Sequence, residues 1–374
     1  MNNQTSPRDP YESLGISRVI NAMGAVTFLG GLPMDPRVID AMSTAARAKV
    51  DSHELADAIS ARLSDLLGVE AAMITSGAAA GWQLAAAACL TGADRRAIAE
   101  LPRVVGSRDE IAIHRKHRGN FDHALRATGA RLVEFGYSRD RTEGWEFDAV
   151  LSERTAGAAY VTDYGDDSVL GLEEFIGRAH AVGVPVIVDA AVSLPPAENL
   201  RGIPTTGADL VAFSGGKALG GPQNTGLLVG RADLIAHCRA NTAPNHNTIG
   251  RGMKVSAEAA VGLLVAIELY LERDHEADHR SWLDAVEHMR GALAGVGVDA
   301  RVDPTPHHAP PIPALIVDGL SDPDAIAARL AADSPSIRVG RHGDAITVCP
   351  HAIEPRDLDY VAERLAAAIT GATA

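Results

Sequence analysis

Short apolar runs alternate with helix-forming segments through the first 240 residues, and this alternation limits the fold more than any other feature. The predicted strands are 71–74, 110–114, 131–135, 158–162, 184–188, 210–213 and 226–229. The predicted helices among them include 78–90, 122–128, 172–181 and 233–239. Strands that are joined through helices run parallel and are covered on both faces. The pattern therefore predicts an α/β fold with a mostly parallel sheet.

The length of 374 residues exceeds one typical domain, so we expect a large and a small domain. Residues 1–34 mix Gly, Pro and Asn and are predicted to form an N-terminal arm, followed by a large domain over 35–255. A bridging helical region is predicted over 256–294. The remaining residues, 295–374, are predicted to form a small α+β C-terminal domain.

Composition and charge exclude several classes of function. The net charge of −14 makes a nucleic-acid backbone an unfavourable partner, because that binding needs clustered Lys and Arg. The three cysteines are odd in number and far apart, so we expect reduced core residues. Neither a secretory leader nor an apolar run of about 18 residues is visible, so we expect a soluble cytoplasmic protein without a membrane role.

Two predicted strands end on residues with complementary chemistry. Lys217 lies in a glycine-rich turn directly after strand 210–213, and Asp189 directly follows strand 184–188. Open α/β sheets place their ligand crevices at this carboxyl edge of the strands. Pyridoxal 5'-phosphate needs such a pair: a lysine for the Schiff base and a carboxylate that keeps the pyridine nitrogen protonated. Lys217 would then also move the Cα proton as general base, with a pKa lowered by burial.

The turn Ser76-Gly77-Ala78 lies between a strand and a helix, where backbone N–H groups and the helix dipole favour a phosphate. We predict that it holds the cofactor phosphate together with Ser214 and a group from a partner chain. The alternative is an ordinary helix cap with a turn glycine.

A basic segment over 113–123 follows another strand. We assign stacking on the cofactor ring to His117 and binding of an anionic substrate group to Arg118; the alternative is a solvated loop. The segment is too cationic to favour a metal ion, so no metal site is predicted.

Three further residues complete the predicted site. Arg251 lies in a polar, glycine-rich segment over 245–254 that either binds an anion or forms a linker. Arg338 is a candidate clamp for the substrate carboxylate, with a surface arginine as the alternative. Asp163 follows strand 158–162 and is a candidate contact for the cofactor hydroxyl.

Six motifs carry a resemblance to a known family. They are Val19-Ile20-Asn21-Ala22-Met23-Gly24, Thr75-Ser76-Gly77-Ala78-Ala79-Ala80-Gly81, His117-Arg118 with Asp122-His123, Val186-Ile187-Val188-Asp189-Ala190-Ala191, Phe213-Ser214-Gly215-Gly216-Lys217 and Gly250-Arg251-Gly252-Met253-Lys254. From about Tyr11 to Lys254 the chain resembles fold-type I pyridoxal phosphate enzymes. Within these it is similar to the selenocysteine synthase-like branch, which includes the D-glucosaminate-6-phosphate ammonia-lyases.

The resemblance implies a seven-stranded sheet in the large domain, a smaller C-terminal domain and an active site completed across a dimer. The family's lysine falls on Lys217 and its pyridinium-binding acid on Asp189. The sequence departs from the family pattern at Phe121, where a tyrosine is expected, and at Ser193, where a glutamine is expected.

The function predicted on these grounds is that of a lyase. It would form a Schiff base through Lys217, generate a carbanion at Cα and perform α,β-elimination, of the ammonia-lyase type, on a small anionic amino acid. The open alternatives are a racemase, an aminotransferase, a β-replacement transferase or a non-catalytic metabolite-binding protein. We expect a homodimer or a higher homo-oligomer.

Overall fold

The computed structural model describes residues 10–138, 140–162, 168–304 and 311–371. Two compact units are present: Pro33–Arg273 forms the large unit, and Met1–Leu32 with Asp274–Ala374 forms the small unit. No helix within the described ranges is long and apolar enough to cross a membrane.

The strands are β1 (Val19–Ala22), β2 (Ala71–Thr75), β3 (Glu110–His114), β4 (Arg131–Phe135), β5 (Thr155–Val161), β6 (Val186–Asp189), β7 (Leu210–Ser214), β8 (Gly226–Gly230), β9 (Arg301–Asp303), β10 (Ala314–Val317), β11 (Ser336–His342) and β12 (Ala345–Val348). The helices are α1 (Pro36–Ala46), α2 (Ser52–Leu67), α3 (Ala78–Thr91), α4 (Arg95–Glu100), α5 (His123–Arg126), α6 (Gly144–Asp148), α7 (Leu172–Ala181), α8 (Asn199–Thr205), α9 (Ala232–Ala240), α10 (Ala257–Glu272), α11 (His275–Gly295), α12 (Pro323–Ala332) and α13 (Leu358–Thr370).

The large unit is built on a seven-stranded sheet in the order β2-β8-β7-β6-β5-β3-β4. Only β8 runs antiparallel to its neighbours β2 and β7; every other adjacent pair is parallel. The predicted mostly parallel seven-stranded sheet is therefore confirmed. Since β2 and β7 both pair antiparallel with β8, the carboxyl ends of β2, β7, β6, β5 and β3 lie at one edge of the sheet.

Both faces of this sheet are packed. On one face, Phe135, Phe147 and Phe175 form a stack with ring centroids 4.2–6.0 Å apart. On the other face lies the alanine-rich helix α3, in which residues 85–88 are at most 1% exposed. Small side chains allow this helix to approach the sheet closely, which fixes its first turn beside the carboxyl edge of β2.

The small unit contains a five-stranded sheet in the order β1-β11-β12-β10-β9. β1 is parallel to β11, and the other adjacent pairs are antiparallel. Helices α11, α12 and α13 supply Val286, Leu330 and Leu365 to its core, each at most 1% exposed.

The two units divide the chain differently from the predicted domain boundaries. The expected N-terminal arm contains strand β1, whose register with β11 (Val19 opposite Ser336) makes it part of the small unit. The expected bridging helical region over 256–294 consists of two helices, α10 and α11. The first, α10, ends at Glu272. Asp274 caps the second, α11, since its carboxylate accepts the N–H of Ala277 at 2.8 Å. The division thus falls at Arg273–Asp274.

Candidate active site

Glycines shape the turn that carries Lys217. A Cβ on Gly215 would lie 2.2 Å from Thr225 Oγ1, and one on Gly216 would lie 2.4 Å from Gln223 Cα. No side chain fits at either position, so only glycine lets the turn pack against the segment before β8. The Gly215 N–H donates to the Thr225 carbonyl at 2.9 Å, which ties the turn to that segment. The backbone around Lys217 is therefore fixed.

Lys217 differs from every other lysine in the chain. The sequence contains four, of which Lys49, Lys116 and Lys254 are exposed, whereas Lys217 is partly buried. Burial lowers the pKa of its amine, and the nearby Asp189 charge opposes that shift. Among the described residues, the amine has no hydrogen-bond or ion-pair partner. An unengaged amine with a lowered pKa suits attack on an aldehyde carbon.

Asp189 is the last residue of β6 and is 8% exposed. Its Oδ1 accepts the N–H of Ala191 at 2.9 Å, while Oδ2 has no partner within the described parts of the chain. Burial raises the pKa of this carboxyl; the Ala191 hydrogen bond and the charge of Lys217 lower it. One carboxylate oxygen is thus held in place and the other is left for a ligand.

The turn at residues 76–78 follows β2 and opens α3. The Thr75 hydroxyl donates to the Gly77 carbonyl at 2.8 Å, and Gly77 has a φ of 123°, which only glycine adopts readily. The first N–H groups of a helix have no partner within it. The hydroxyls of Ser76 and Ser214 also have none among the residues described. These donors fit a phosphate.

Gly226 brings the two serines to the same place, although the sequence analysis did not single it out. It is the register partner of both Thr75 on β2 and Ser214 on β7. A Cβ at Gly226 would lie 2.5 Å from the Gly77 carbonyl carbon and 2.7 Å from the Ala78 nitrogen. A glycine at the start of a strand is a signal of such close backbone approach.

His117 is 7% exposed and lies beside the strands that carry the site. Its ring meets Tyr160 edge-on at 4.6 Å and His114 at 5.4 Å. Its Nδ1 accepts the N–H of Val161 at 3.4 Å, and Val161 is the register partner of Asp189. A ring that accepts through Nδ1 carries a proton on Nε2. The predicted stacking role stays a prediction.

Arg118 is occupied by acidic neighbours. Its guanidinium donates to Asp122, which is 4% exposed, and to Glu134. These two carboxylates neutralise the cation, so its predicted role as the substrate anchor has less support than that of Arg251. Phe121, in the same segment, is 67% exposed.

A cavity of about 520 Å³ reaches Thr75, the residue before the turn at 76–78, but neither Lys217 nor Asp189 lines it. Its lining includes Thr75 of β2 and, from the segment after α9, Arg251 and Lys254; much of the remaining wall is apolar, with Leu55, Ile59, Met73 and Met253. Neither Arg251 nor Lys254 forms an ion pair within the described ranges. The cavity thus combines unpaired cations with an apolar floor and suits an anion that carries carbon.

Two predicted site residues lie outside the described part of the large unit. Arg338 lies on β11 of the small unit, opposite Asn21 in register, with an exposed side chain. Asp163 lies outside the described residues. Both roles stay predictions.

The groups at the carboxyl edge match one cofactor. The Lys217 amine can bind an aldehyde, Asp189 Oδ2 can bind a protonated ring nitrogen, and the turn at 76–78 with Ser214 can bind a phosphate. Each of these side-chain groups lacks a partner among the described residues. Pyridoxal phosphate carries the aldehyde, ring nitrogen and phosphate on one small ring.

Comparison with known proteins supports a pyridoxal phosphate site. The model of the L-seryl-tRNA selenium transferase family, SelA, matches residues 19–293. D-glucosaminate-6-phosphate ammonia lyase of Salmonella typhimurium is 36% identical over 299 residues, which are 78% of each chain. 5'-C-glycyluridine monooxygenase-decarboxylase of a Streptomyces species is 36% identical over 302 residues, 78% of this chain and 73% of the relative. An L-seryl-tRNA(Sec) selenium transferase of Solidesulfovibrio magneticus is 28% identical, and the match spans 59% of that protein.

Comparison with solved structures also finds a similar ammonia-lyase. The structure of D-glucosaminate-6-phosphate ammonia-lyase superposes with a TM-score of 0.85 at 30% identity, covering 98% of this chain and 99% of that one. The serine palmitoyltransferase of Sphingomonas wittichii, at 14% identity and a TM-score of 0.60 over 95% of this chain and 88% of that chain, shows the shared fold alone. The chain therefore belongs to the SelA family of pyridoxal phosphate-dependent, fold-type I enzymes.

Proposed function

We propose that the protein is a pyridoxal phosphate-dependent lyase that performs α,β-elimination on a small, anionic, β-substituted amino acid and releases ammonia. The observation that carries this proposal is the pairing of a partly buried, unengaged Lys217 amine with the buried Asp189 carboxylate at one edge of the sheet. The relative named as an ammonia lyase, at 36% identity, favours elimination among the reactions that such a site supports.

The residues divide the chemistry among them. When bound, the cofactor supplies an electron sink for the bond broken at Cα. Lys217, whose pKa burial lowers, is the base that takes the proton from Cα. Asp189 keeps the ring nitrogen protonated, and the donors at 76–78 with Ser214 hold the phosphate. Loss of the β-substituent then uses the electrons that the departing Cα proton leaves behind. Water hydrolyses the resulting unsaturated amine, which breaks the C–N bond and gives the 2-oxo acid and ammonia.

Arg251 is proposed as the contact for an anionic group on the substrate. It lines the cavity beside Thr75 and has no carboxylate partner in the described parts of the chain. The Salmonella relative is named for a substrate that carries a phosphate. A phosphorylated sugar amino acid is therefore a suitable first test compound for this chain.

A second candidate reaction is oxygen-dependent decarboxylation. It is favoured by the Streptomyces relative, which is as similar to this chain as the lyase is and is named as a monooxygenase-decarboxylase. Oxygen separates the two reactions, because elimination consumes none.

The test is a product assay on a panel of β-hydroxy amino acids that includes D-glucosaminate 6-phosphate, run with and without oxygen. Elimination predicts equal amounts of ammonia and 2-oxo acid in both conditions and none with Lys217→Ala. Release of carbon dioxide only in the presence of oxygen would establish the second candidate instead. Racemised substrate, or a product formed only with an amino acceptor or a second nucleophile, would indicate racemisation, transamination or β-replacement.

The assembly and location are proposed on broader grounds. The protein is proposed to be a homodimer or higher homo-oligomer that shares its active site between chains, and to act in the cytoplasm. Its net charge of −14 supports small-molecule substrates over nucleic acid.

A further inference from the structure

The hydroxyls of Thr162 and Ser193 are hydrogen-bonded to each other, and that of Thr162 also contacts the backbone of Asp189. Thr162 directly follows β5, and Ser193 lies four residues after Asp189 in the loop that leaves β6. Ser193 is 1% exposed, so its hydroxyl is shielded from water. Neither residue was predicted as part of the cofactor site.

The direction of each hydrogen bond in this group is fixed by chemistry. The Thr162 hydroxyl lies 3.1 Å from the backbone carbonyl oxygen of Asp189. A carbonyl only accepts, so the single Thr162 proton goes to it. The Ser193 hydroxyl contacts the Thr162 oxygen and must therefore donate to it. The Thr162 N–H donates to the same Asp189 carbonyl at 3.0 Å.

These bonds restrain Asp189 from both sides. Its carbonyl accepts two hydrogen bonds from Thr162, and its Oδ1 accepts the Ala191 N–H at 2.9 Å. The loop itself is tied down at Ser193, whose N–H donates to Ala190 at 3.1 Å and whose carbonyl accepts Asn199 Nδ2 at 2.8 Å. The backbone of Asp189 is therefore restrained. Of its two carboxylate oxygens, Oδ1 accepts a hydrogen bond and Oδ2 is open.

We propose that Thr162 and Ser193 are positioning residues that hold the Asp189 carboxylate in the orientation in which it binds the ring nitrogen of the cofactor. This inference rests on the cofactor role in the proposed function, but it does not depend on which reaction follows. Both hydroxyls act through Asp189. Their loss should therefore affect cofactor affinity before it affects anything that happens to the substrate.

The test compares variants that remove or keep one hydroxyl. Thr162→Val removes the hydroxyl while it keeps the branched shape and the backbone N–H, and Thr162→Ser keeps the hydroxyl. Ser193→Ala removes the second donor. The matched control is Thr128→Val, because Thr128 is fully buried and its hydroxyl donates to the Leu125 carbonyl at 2.6 Å away from the site.

Two readouts are taken without substrate: the dissociation constant of pyridoxal phosphate by equilibrium dialysis, and the visible circular dichroism of the bound cofactor. Thr162→Val is expected to weaken binding roughly 5- to 30-fold, and Ser193→Ala to weaken it in the same direction but less. Thr162→Ser and Thr128→Val are expected to stay within about twofold of the wild type. The dichroic band should shrink in Thr162→Val because the ring is held less uniformly.

Wild-type affinity and dichroism in Thr162→Val, or an equal loss in Thr128→Val, would overturn the proposal. Should Thr162→Val fail to fold, Ser193→Ala decides the question on the same two readouts. A wild-type protein that binds the cofactor but eliminates nothing would contradict the proposed function and leave the positioning role standing. A wild-type protein that takes up no cofactor would overturn both.

Discussion

Asp189 is buried and Lys217 is partly buried, and the pKa of each depends on the charge of the other. It disfavours both charges, so the pKa of the amine falls and the pKa of the carboxyl rises. Each charge partly reverses the shift of the other. A protonated ring nitrogen beside Asp189 adds a second positive partner, which favours the ionised carboxylate that the site requires.

Asp189→Asn tests this coupling. The change removes the negative charge that raises the pKa of Lys217, so that pKa should fall further. Attachment of pyridoxal phosphate needs the neutral amine, so the midpoint of its rate against pH should move to lower pH. Turnover should fall by roughly 100-fold, because the ring nitrogen loses its anionic partner. Stopped-flow absorbance measures the attachment rate, and Asp233→Asn, at an exposed ion pair, is the control. An unchanged or higher midpoint would contradict the coupling.

Residues that directly follow an apolar run could be predicted, because the topology alone places them. Lys217, Asp189 and Ser76 are of this kind. Arg118 shows the limit: its ion pair with Glu134 depends on β3 lying beside β4, which the local sequence does not state. The contact of Thr162 with Ser193 likewise joins residues 31 positions apart.

Strand β8 brings the turn at residues 76–78 next to Ser214, since it lies antiparallel between β2 and β7. Its first residue has backbone neighbours on both sides. We expect Gly226→Ala to weaken cofactor binding and to destabilise the large unit by about 3 kcal/mol, because the new Cβ would overlap the Gly77 and Ala78 backbone. Dialysis and urea unfolding measure both effects. Gly177→Ala on α7, where a Cβ meets nothing within 4 Å, should leave cofactor affinity unchanged and should not lower stability, since alanine favours a helix interior by up to about 1 kcal/mol. Wild-type affinity in Gly226→Ala would rule out this role.

Strands with a clear apolar run and long periodic helices were predictable, whereas several short helices were not. Helix α7 and strand β3 occupy the predicted residues 172–181 and 110–114. Helices α4, α6 and α8 have six, five and seven residues. A helix of fewer than two turns has too few apolar residues at helical spacing to be recognised in the sequence. β1 was missed because its partner β11 lies more than 300 residues away.

The segment after β12 makes the small unit sensitive to acid. Burial lowers the pKa of His351 to about 4, and its Nδ1 has no partner among the described residues. The folded unit therefore holds the neutral ring, and its stability is complete above the unfolded pKa near 6.5. Stability should fall as the pH drops from 6.5 towards 4, by up to about 3 kcal/mol. Urea unfolding of wild type and His351→Gln at pH 7.5 and 5 measures this, with the exposed His288→Gln as control. Equal pH dependence in His351→Gln would disprove it.

At the scale of the whole molecule, the chain is strongly acidic, whereas two cations that line the cavity have no ion-pair partner among the described residues. The net charge of −14 repels polyanions, whereas Arg251 and Lys254 beside the cavity attract a small anion locally. This distribution favours a phosphorylated or carboxylated metabolite and disfavours tRNA, although the family model is named for a tRNA-dependent transferase.

The proposed sharing of the active site between chains makes a specific prediction about mixed oligomers. Lys217→Ala and Arg251→Ala should each be nearly inactive. If Arg251 serves the Lys217 of another chain, refolding the two variants together should restore activity, because one site in each mixed dimer is intact. Steady-state assays of the co-refolded mixture against each variant alone measure this. No recovery would place both residues in the site of one chain.

The attachment of pyridoxal phosphate to Lys217 is the claim on which the rest depends. Borohydride reduction of the loaded protein makes the bond between lysine and cofactor permanent, and mass spectrometry of its peptides then locates the added mass. With only four lysines in the chain, the assignment is unambiguous. We predict one cofactor per chain, on the peptide that contains Lys217, and none in Lys217→Ala. Cofactor on Lys49, Lys116 or Lys254 instead, or on no lysine at all, would contradict the account.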